Sequence, residues 1–339
     1  MYKLNLSEIN AFFAKIAQNE KLYIPADNGK GGARYTEWAD GVELSNACNT
    51  ERSAKDFFFP QTENLVDFKV NGKKIEIIDS REECEDFVIF GVRACDAKSF
   101  EILDSVYLSD PIDSYYKNRR EHGTVISLAC NAPEETCFCR TFGIDATKPA
   151  GDARAYIAGD SLYIEALTEK GSKLLSSLGL AETNDTAAVD AQITETEKKL
   201  AELPLASLQA KDFTKKQLDA FNAPVWAGLS QTCLGCGSCT FVCPTCQCYD
   251  IKDFDTGHGI KRVRCWDSCM YSDFTMMAHG TPRNTQLEKF RQRFMHKLVY
   301  YPMNNDGVYG CVGCGRCLKK CPISMNIVKV MKSLGEVTE

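Results

Sequence analysis

Two segments of this chain carry the same arrangement of cysteines, and that arrangement narrows its architecture more than any other property of the sequence. Cys233, Cys236, Cys239 and Cys243, followed by Pro244, read C-x2-C-x2-C-x3-C-P; Cys311, Cys314, Cys317 and Cys321, followed by Pro322, read it again. This is the bacterial run that ligates [4Fe–4S] clusters through thiolate sulfur. Three thiols at i, i+3 and i+6 wrap one corner of a cubane on a tight loop. The intervening Gly235, Gly237, Gly313 and Gly315 let backbone amides approach the cluster sulfurs, where hydrogen bonds help set the potential. The fourth cysteine sits where the chain turns into a helix, and the proline after it keeps it from returning to the same cluster. It therefore ligates the partner cluster. The spacing predicts one cluster on Cys233, Cys236, Cys239 and Cys321 and a second on Cys311, Cys314, Cys317 and Cys243. Structural zinc also uses paired CxxC units, but four ligands close a zinc site and leave a double run of eight cysteines unexplained.

Between Cys243 and Cys311 lie 67 residues, too many for a short ferredoxin hairpin. Helical patterns fill the gap, so this part resembles an α-helical ferredoxin arrangement with clusters held between helices. The other cysteines form looser groups. Cys246, Cys248, Cys265 and Cys269 are enough for a further cluster or a zinc site, and equally for buried thiols packed around the two clusters. In the first part, Cys95 and Cys130 each end an apolar run, and Cys137-Phe138-Cys139 follows on a loop. Parallel neighbouring strands would bring Cys95 and Cys130 to one edge with Cys137 and Cys139 closing over them, a second candidate four-thiolate site. Cys48 and Cys84 have no partner spacing and read as ordinary residues.

Eighteen cysteines in 339 residues is about 5%, below the roughly 8–10% of short disulfide scaffolds. The N-terminus shows no basic segment leading into an apolar one, and no window approaches the ~18 apolar residues of a membrane span. A cytoplasmic location is the expectation, and in a reducing cytosol many cysteines read first as metal ligands. The length suggests two domains. Residues 1–205 hold six cysteines and a charge balance of −12; residues 206–339 hold twelve and a balance of +6. A [4Fe–4S]²⁺ core with four thiolates carries a charge of about −2, so two clusters suit the basic second part.

The expected fold class is α+β: a mixed α/β domain over 1–205, then a mostly α-helical dicluster domain over 206–339. Ser7 can cap a helix whose Ile9, Phe12, Phe13, Ile16 and Ala17 share a face. Leu65–Val70 and Lys73–Ile78 flank Asn71-Gly72, a hairpin signal, and Ala155–Ala166 predicts another hairpin about Gly159-Asp160. Phe87–Val92 and Thr124–Leu128 read as buried strands, with helices over Ala97–Leu108 and Ser114–Glu121. Ala181–Glu202 reads as a linker that includes a solvated helix. Thr214–Phe221 and Leu287–Val299 are helical patterns in the second part.

No G-x-G-x-x-G follows a strand, no Walker A run occurs, and no two cysteines are adjacent. Gly29, Gly31 and Gly32 make a flexible turn. His122, His258, His279 and His296 lack ligand spacing and read as surface or core histidines. The basic face Arg291, Arg293, His296 and Lys297 belongs to an amphipathic helix. With the whole chain acidic, nucleic acid is not the expected partner.

Beyond the two cysteine runs, the chain carries Phe59-Pro60-Gln61, Arg93-Ala94-Cys95-Asp96, Tyr115-Tyr116 with Arg119-Arg120-Glu121, and Cys137-Phe138-Cys139. Its second part adds Pro244-Thr245-Cys246-Gln247-Cys248, Trp266-Asp267-Ser268-Cys269, Arg291-Gln292-Arg293 with His296-Lys297, and Cys311-Val312-Gly313-Cys314-Gly315-Arg316-Cys317. Over most of its length it resembles the beta subunit of cytoplasmic nickel–iron (sulf)hydrogenases and the related A subunit of anaerobic sulfite reductase. Ala278-His279-Gly280-Thr281-Pro282-Arg283 departs from the Gly-Gly-rich stretch found there. The resemblance implies an iron–sulfur subunit without catalytic residues of its own. It would pass electrons between a flavin-containing, NAD(P)H-oxidising gamma-type subunit and a catalytic subunit of hydrogenase, sulfite reductase or heterodisulfide reductase type, in a hetero-oligomer. Two rival functions stand beside it: a redox enzyme with a substrate site near Cys95 and Cys130, and a zinc-stapled assembly scaffold with no electron flow.

Overall fold

In the computed structural model, which describes residues 1–337, the runs Phe87–Val92 and Gly123–Leu128 are buried at every position. Strands covered on both faces are characteristic of parallel pairing, and these two pair in parallel, Phe87 opposite Gly123 through Phe90 opposite Ile126. In chain order the strands are β1 (Tyr2–Asn5), β2 (Lys21–Asp27), β3 (Ala33–Glu37), β4 (Thr62–Asn71), β5 (Lys74–Asp79) and β6 (Phe87–Val92). Then come β7 (Gly123–Leu128), β8 (Ala153–Ala158), β9 (Ser161–Ala166), β10 (Ala181–Glu182), β11 (Tyr249–Asp255) and β12 (Gly259–Trp266).

The chain divides into two compact units. Met1–Phe59, Glu83–Leu208 and Val312–Cys314 make the first; Pro60–Glu82, Gln209–Cys311 and the chain from Gly315 onward make the second. A single cut at residue 205 does not describe them. The β4–β5 hairpin joins the second unit because β4 pairs with β12 over most of its length. Three residues of the second cysteine run join the first because Phe138 donates its backbone N–H to the Gly313 carbonyl at 2.9 Å.

In the first unit the strand order is β10-β1-β9-β8-β7-β6-β2-β3. β2, β6, β7 and β8 run parallel, and the hairpins at either side add antiparallel strands. The helix Ile9–Ala17 lays Phe12, Phe13 and Ile16 onto Leu22, Ile24, Val88, Phe90, Ile126 and Leu128, and the helix Glu169–Ser177 adds Leu174 and Leu175. Phe13 meets Phe90 edge-on at 5.0 Å between centroids, a favoured aromatic geometry. The helix Ala94–Tyr107 starts immediately after β6. Its Asp104 takes a two-pronged hydrogen bond from Arg120 at 2.9 Å and one from the Tyr116 hydroxyl at 2.7 Å, locking it to the helix Ser114–His122. The segment read as a linker with a solvated helix holds the helix Ala187–Ala201, which is not wholly solvated, since it buries Val189, Thr196 and Leu200.

The second unit carries a sheet that the mostly helical expectation lacks, in the order β11-β12-β4-β5. Its β4–β5 turn sits one residue later than the Asn-Gly signal suggests: Asn71 pairs with Lys74, leaving Gly72 (φ +63°) and Lys73 as the loop. The β11–β12 hairpin closes over Thr256-Gly257-His258 between two partly alternating runs, a legible signal. Arg264 on β12 lies opposite Glu63 on β4, both almost wholly buried, and Arg264 Nε donates to Glu63 Oε2 at 2.9 Å. Removing one member of such a buried pair strands the other charge. Glu63→Leu is therefore expected to cost the folded state about 3–5 kcal/mol, whereas Glu63→Leu with Arg264→Met recovers most of it. Thermal or denaturant unfolding of the two variants checks this; equal losses would refute it. Ile75 and Ile77 on β5 are 66% and 68% exposed.

Candidate metal centres

The first cysteine run is shaped by a left-handed glycine. Gly237 (φ +72°) starts the short helix Ser238–Phe241, and a Cβ there would sit 2.6 Å from the Tyr271 hydroxyl, which itself donates to the Cys236 carbonyl at 3.1 Å. Only glycine fits this approach. Thr240 ties the turn down, donating to the Gly237 carbonyl at 2.6 Å and lying 2.9 Å from the Ser268 hydroxyl. Hydrogen bonding to Ser238, whose Oγ is 3.5 Å away, holds the Cys236 thiol below its ordinary value. Burial raises that of Cys239. One pocket, partly open to solvent, is lined by Cys233, Cys236, Cys239 and Cys321, with Pro322 and Arg293 at its wall. The structure thus brings the fourth cysteine of the second run to the first three of the first run.

A long helix supplies two buried cations to this region. It runs as an α-helix over Gln286–Met295, opens into a π-turn over His296–Tyr300, and resumes over Tyr301–Asn304. Such turns insert an extra residue and re-aim side chains, often at functional sites. Lys297, inside the π-turn, donates to Thr245 Oγ1 at 2.7 Å and to the Gly310 carbonyl at 3.0 Å. The Thr245 hydroxyl also donates to Gly310 at 2.7 Å and lies 3.3 Å from Cys243 Sγ. Burial opposes the charge on Lys297, but Cys243, Cys246 and Cys311 outweigh it and hold the ammonium above its ordinary pKa. Arg293 follows the same pattern: burial opposes its charge, and Cys239, Cys317, Cys246 and Cys243 more than offset that. Its buried Nε has no hydrogen-bond partner. A buried guanidinium needs an anion close by. Thiolate-held clusters of about −2 charge supply one, so the donor set and the orphaned Nε fit the [4Fe–4S] groups implied by the cysteine runs.

The remaining cysteines of the second unit, Cys246, Cys248, Cys265 and Cys269, lie in different surroundings. Hydrogen bonding to Cys248, ahead of burial, raises the Cys269 thiol, so these two lie together. Cys246 faces the two buried cations. Cys265 sits on β12, where burial raises it and the charges of Lys252, Asp250 and Asp267 act on it. Strand pairing, with Cys265 opposite Asp250 and Thr62, holds it there.

In the first unit, parallel pairing of β6 and β7 carries Cys95 and Cys130 to the same edge of the sheet, and all of Cys95, Cys130, Cys137 and Cys139 are buried. Cys48, read from the sequence as an ordinary residue, is buried among them. Its thiol hydrogen-bonds those of Cys130 and Cys137, and this, ahead of burial, raises both. Burial pushes the Cys139 thiol up to about 11. Cys84 lies outside this group, partly exposed. No spacing rule could have found Cys48, because it approaches through a loop more than 40 residues before Cys95. Of the histidines, His122 pairs with Asp86 at 2.6 Å. Burial, then Lys297, brings His296 down to about 4. Among the described residues no histidine joins a metal-type cluster, and no helix is long and apolar enough to cross a membrane.

Residues 232–325 match the model of a 4Fe-4S dicluster domain. The sulfhydrogenase 2 subunit beta of Pyrococcus furiosus is 31% identical over 337 residues, covering 98% of this chain and 98% of the relative. No solved structure matches. With the two cysteine runs lying inside the matched dicluster region and the likeness extending over almost the whole chain, this is an iron–sulfur protein that belongs to the family of sulfhydrogenase beta subunits.

Proposed function

We propose that this chain relays single electrons within a cytoplasmic hydrogenase complex, from a flavin- and NAD(P)H-binding gamma-type subunit to a catalytic redox subunit or in reverse. Two [4Fe–4S] clusters carry them, one held by Cys233, Cys236, Cys239 and Cys321, the other by Cys311, Cys314, Cys317 and Cys243. The observation that carries this reading is the pocket shared by cysteines of both runs beside Arg293, whose buried Nε has no hydrogen-bond partner. It favours cross-ligated clusters over a zinc scaffold, whose sites have no need of two buried cations. When bound, each cluster supplies a centre that accepts and releases one electron. The chain's own residues hold positive charge beside the thiolates through the buried Arg293 and Lys297, and hold Cys243 in place through Thr245. A hydrogenase partner is favoured by the relative's name. Exposed Val70, Ile75 and Ile77 on the β4–β5 hairpin supply apolar surface of the kind that marks protein association.

Anaerobic purification tests the reading. The chain is expected to carry iron and acid-labile sulfide with paramagnetic signals after dithionite, to turn over neither NAD(P)H nor hydrogen with a viologen dye alone, and to do so only with its partner subunits. Zinc without labile sulfide, or turnover by the isolated chain, would overturn it.

A further inference from the structure

The two proposed clusters use none of the five cysteines gathered in the first unit. These thiols come from separate stretches of chain, and one side chain draws three of those stretches together. Arg93, at the end of β6, donates through Nε to the Cys48 carbonyl at 2.9 Å and through its terminal nitrogens to the Ala129 carbonyl at 2.9 Å and the Ala47 carbonyl at 3.3 Å. The loop bearing Cys48 is thus tied to the ends of β6 and β7, where Cys95 and Cys130 stand. The carboxyl ends of parallel strands are where open α/β sheets bind their ligands. Cys137 closes over the group. Its Sγ accepts from the Glu134 backbone N–H at 3.4 Å, and the Cys48 and Cys137 sulfurs and a Glu134 carboxylate oxygen all lie within 4.8 Å of one another. Cys95 Sγ is 3.8 Å from Asn49 Oδ1, beside Cys48. Buried cysteines scattered through a core pack as small apolar residues; here they converge from four segments beside a guanidinium, as an anionic thiolate centre requires.

The geometry points to a third iron–sulfur cluster in the first unit, held by Cys48, Cys95, Cys130 and Cys137 with Cys139 beside it. This deepens the relay reading and rests on it. Asn49 Nδ2 also donates to the carbonyl of Cys314, a proposed ligand of the second cluster, at 3.3 Å. The residue next to Cys48 is therefore hydrogen-bonded to a ligand of the relay, which suits an electron carrier better than an isolated zinc staple.

The test uses the full complex purified without oxygen. Native mass spectrometry of the unmodified chain is expected to count three clusters, and Cys48→Ser to remove about a third of its iron and labile sulfide while Cys84→Ser removes none. Two clusters in the unmodified chain would overturn the third site without needing any variant. So would bound zinc in place of the third cluster, or full iron and sulfide in Cys48→Ser. If Cys233→Ser loses iron and sulfide while Cys48→Ser loses none, the third site fails and the relay stands. If the unmodified chain holds no labile sulfide, both fail.

Discussion

Replacing Cys321 with serine is expected to remove about four iron and four sulfide per chain, and the signal that disappears should belong to the cluster of Cys233, Cys236 and Cys239, not to that of Cys311, Cys314 and Cys317. The reason is spatial. Cys321 and Pro322 line the same cavity as the first three cysteines of the other run. Proline fixes its own backbone and carries no N–H, which turns the fourth thiol away from the loop it follows. Cys243→Ser should do the converse, removing the cluster of the second run. Its effect has an added route, because Thr245 and Lys297 are organised around Cys243. Iron and sulfide content with electron paramagnetic resonance of the reduced complex separates the two variants. Loss of the Cys311 cluster in Cys321→Ser would show that each run ligates its own cluster.

The second large effect is on potential. Arg293→Met should lower the reduction potential of the adjacent cluster, because adding an electron to an anionic centre is easier beside a fixed positive charge. At a separation of roughly 6 Å and an effective dielectric constant of about 20, one charge contributes on the order of 3 kcal/mol, or about 130 mV for a one-electron couple. Arg293 is 4% exposed, so salt should screen the effect little. Methionine fills similar space without leaving a charge, which separates potential from folding. Lys297→Met should act in the same direction, with an additional cost from the freed Thr245 and Gly310 groups. A redox titration monitored by paramagnetic resonance reads both variants. An unshifted potential in Arg293→Met would make the residue structural only.

Elements carried by local pattern were legible. Phe87–Val92 and the run ending at Leu128 are uninterrupted apolar stretches, and both are buried parallel strands. The hairpin about Gly159-Asp160 forms between β8 and β9. Boundaries moved where neighbours decided them: the helix expected from Ala97 begins at Ala94, so Cys95 lies within its first turn. The β11–β12 hairpin has a readable turn, yet Ile251 and Phe254 are about half exposed. A strand with apolar side chains on the solvent side presents a weaker alternation than one with a clean core face. The acidic, alanine-rich segment before Leu208 has little apolar character, and its helix is anchored by three buried residues spaced along one side.

Motif spacing is a property of neighbouring residues, and the identity of the two cysteine runs follows from it, as does the alternation of strands and helices in the first part. Cys48 among the thiols of the first unit, the β4–β5 hairpin in the second, and the burial of Arg293 and Lys297 beside cysteines arise otherwise. Each depends on segments far apart in the chain being brought together by strand pairing or by one side chain, as Arg93 gathers four carbonyls. Such meetings minimise unpaired polar groups and exposed apolar surface over the whole fold. No local spacing records them, so they become visible only once the chain has folded.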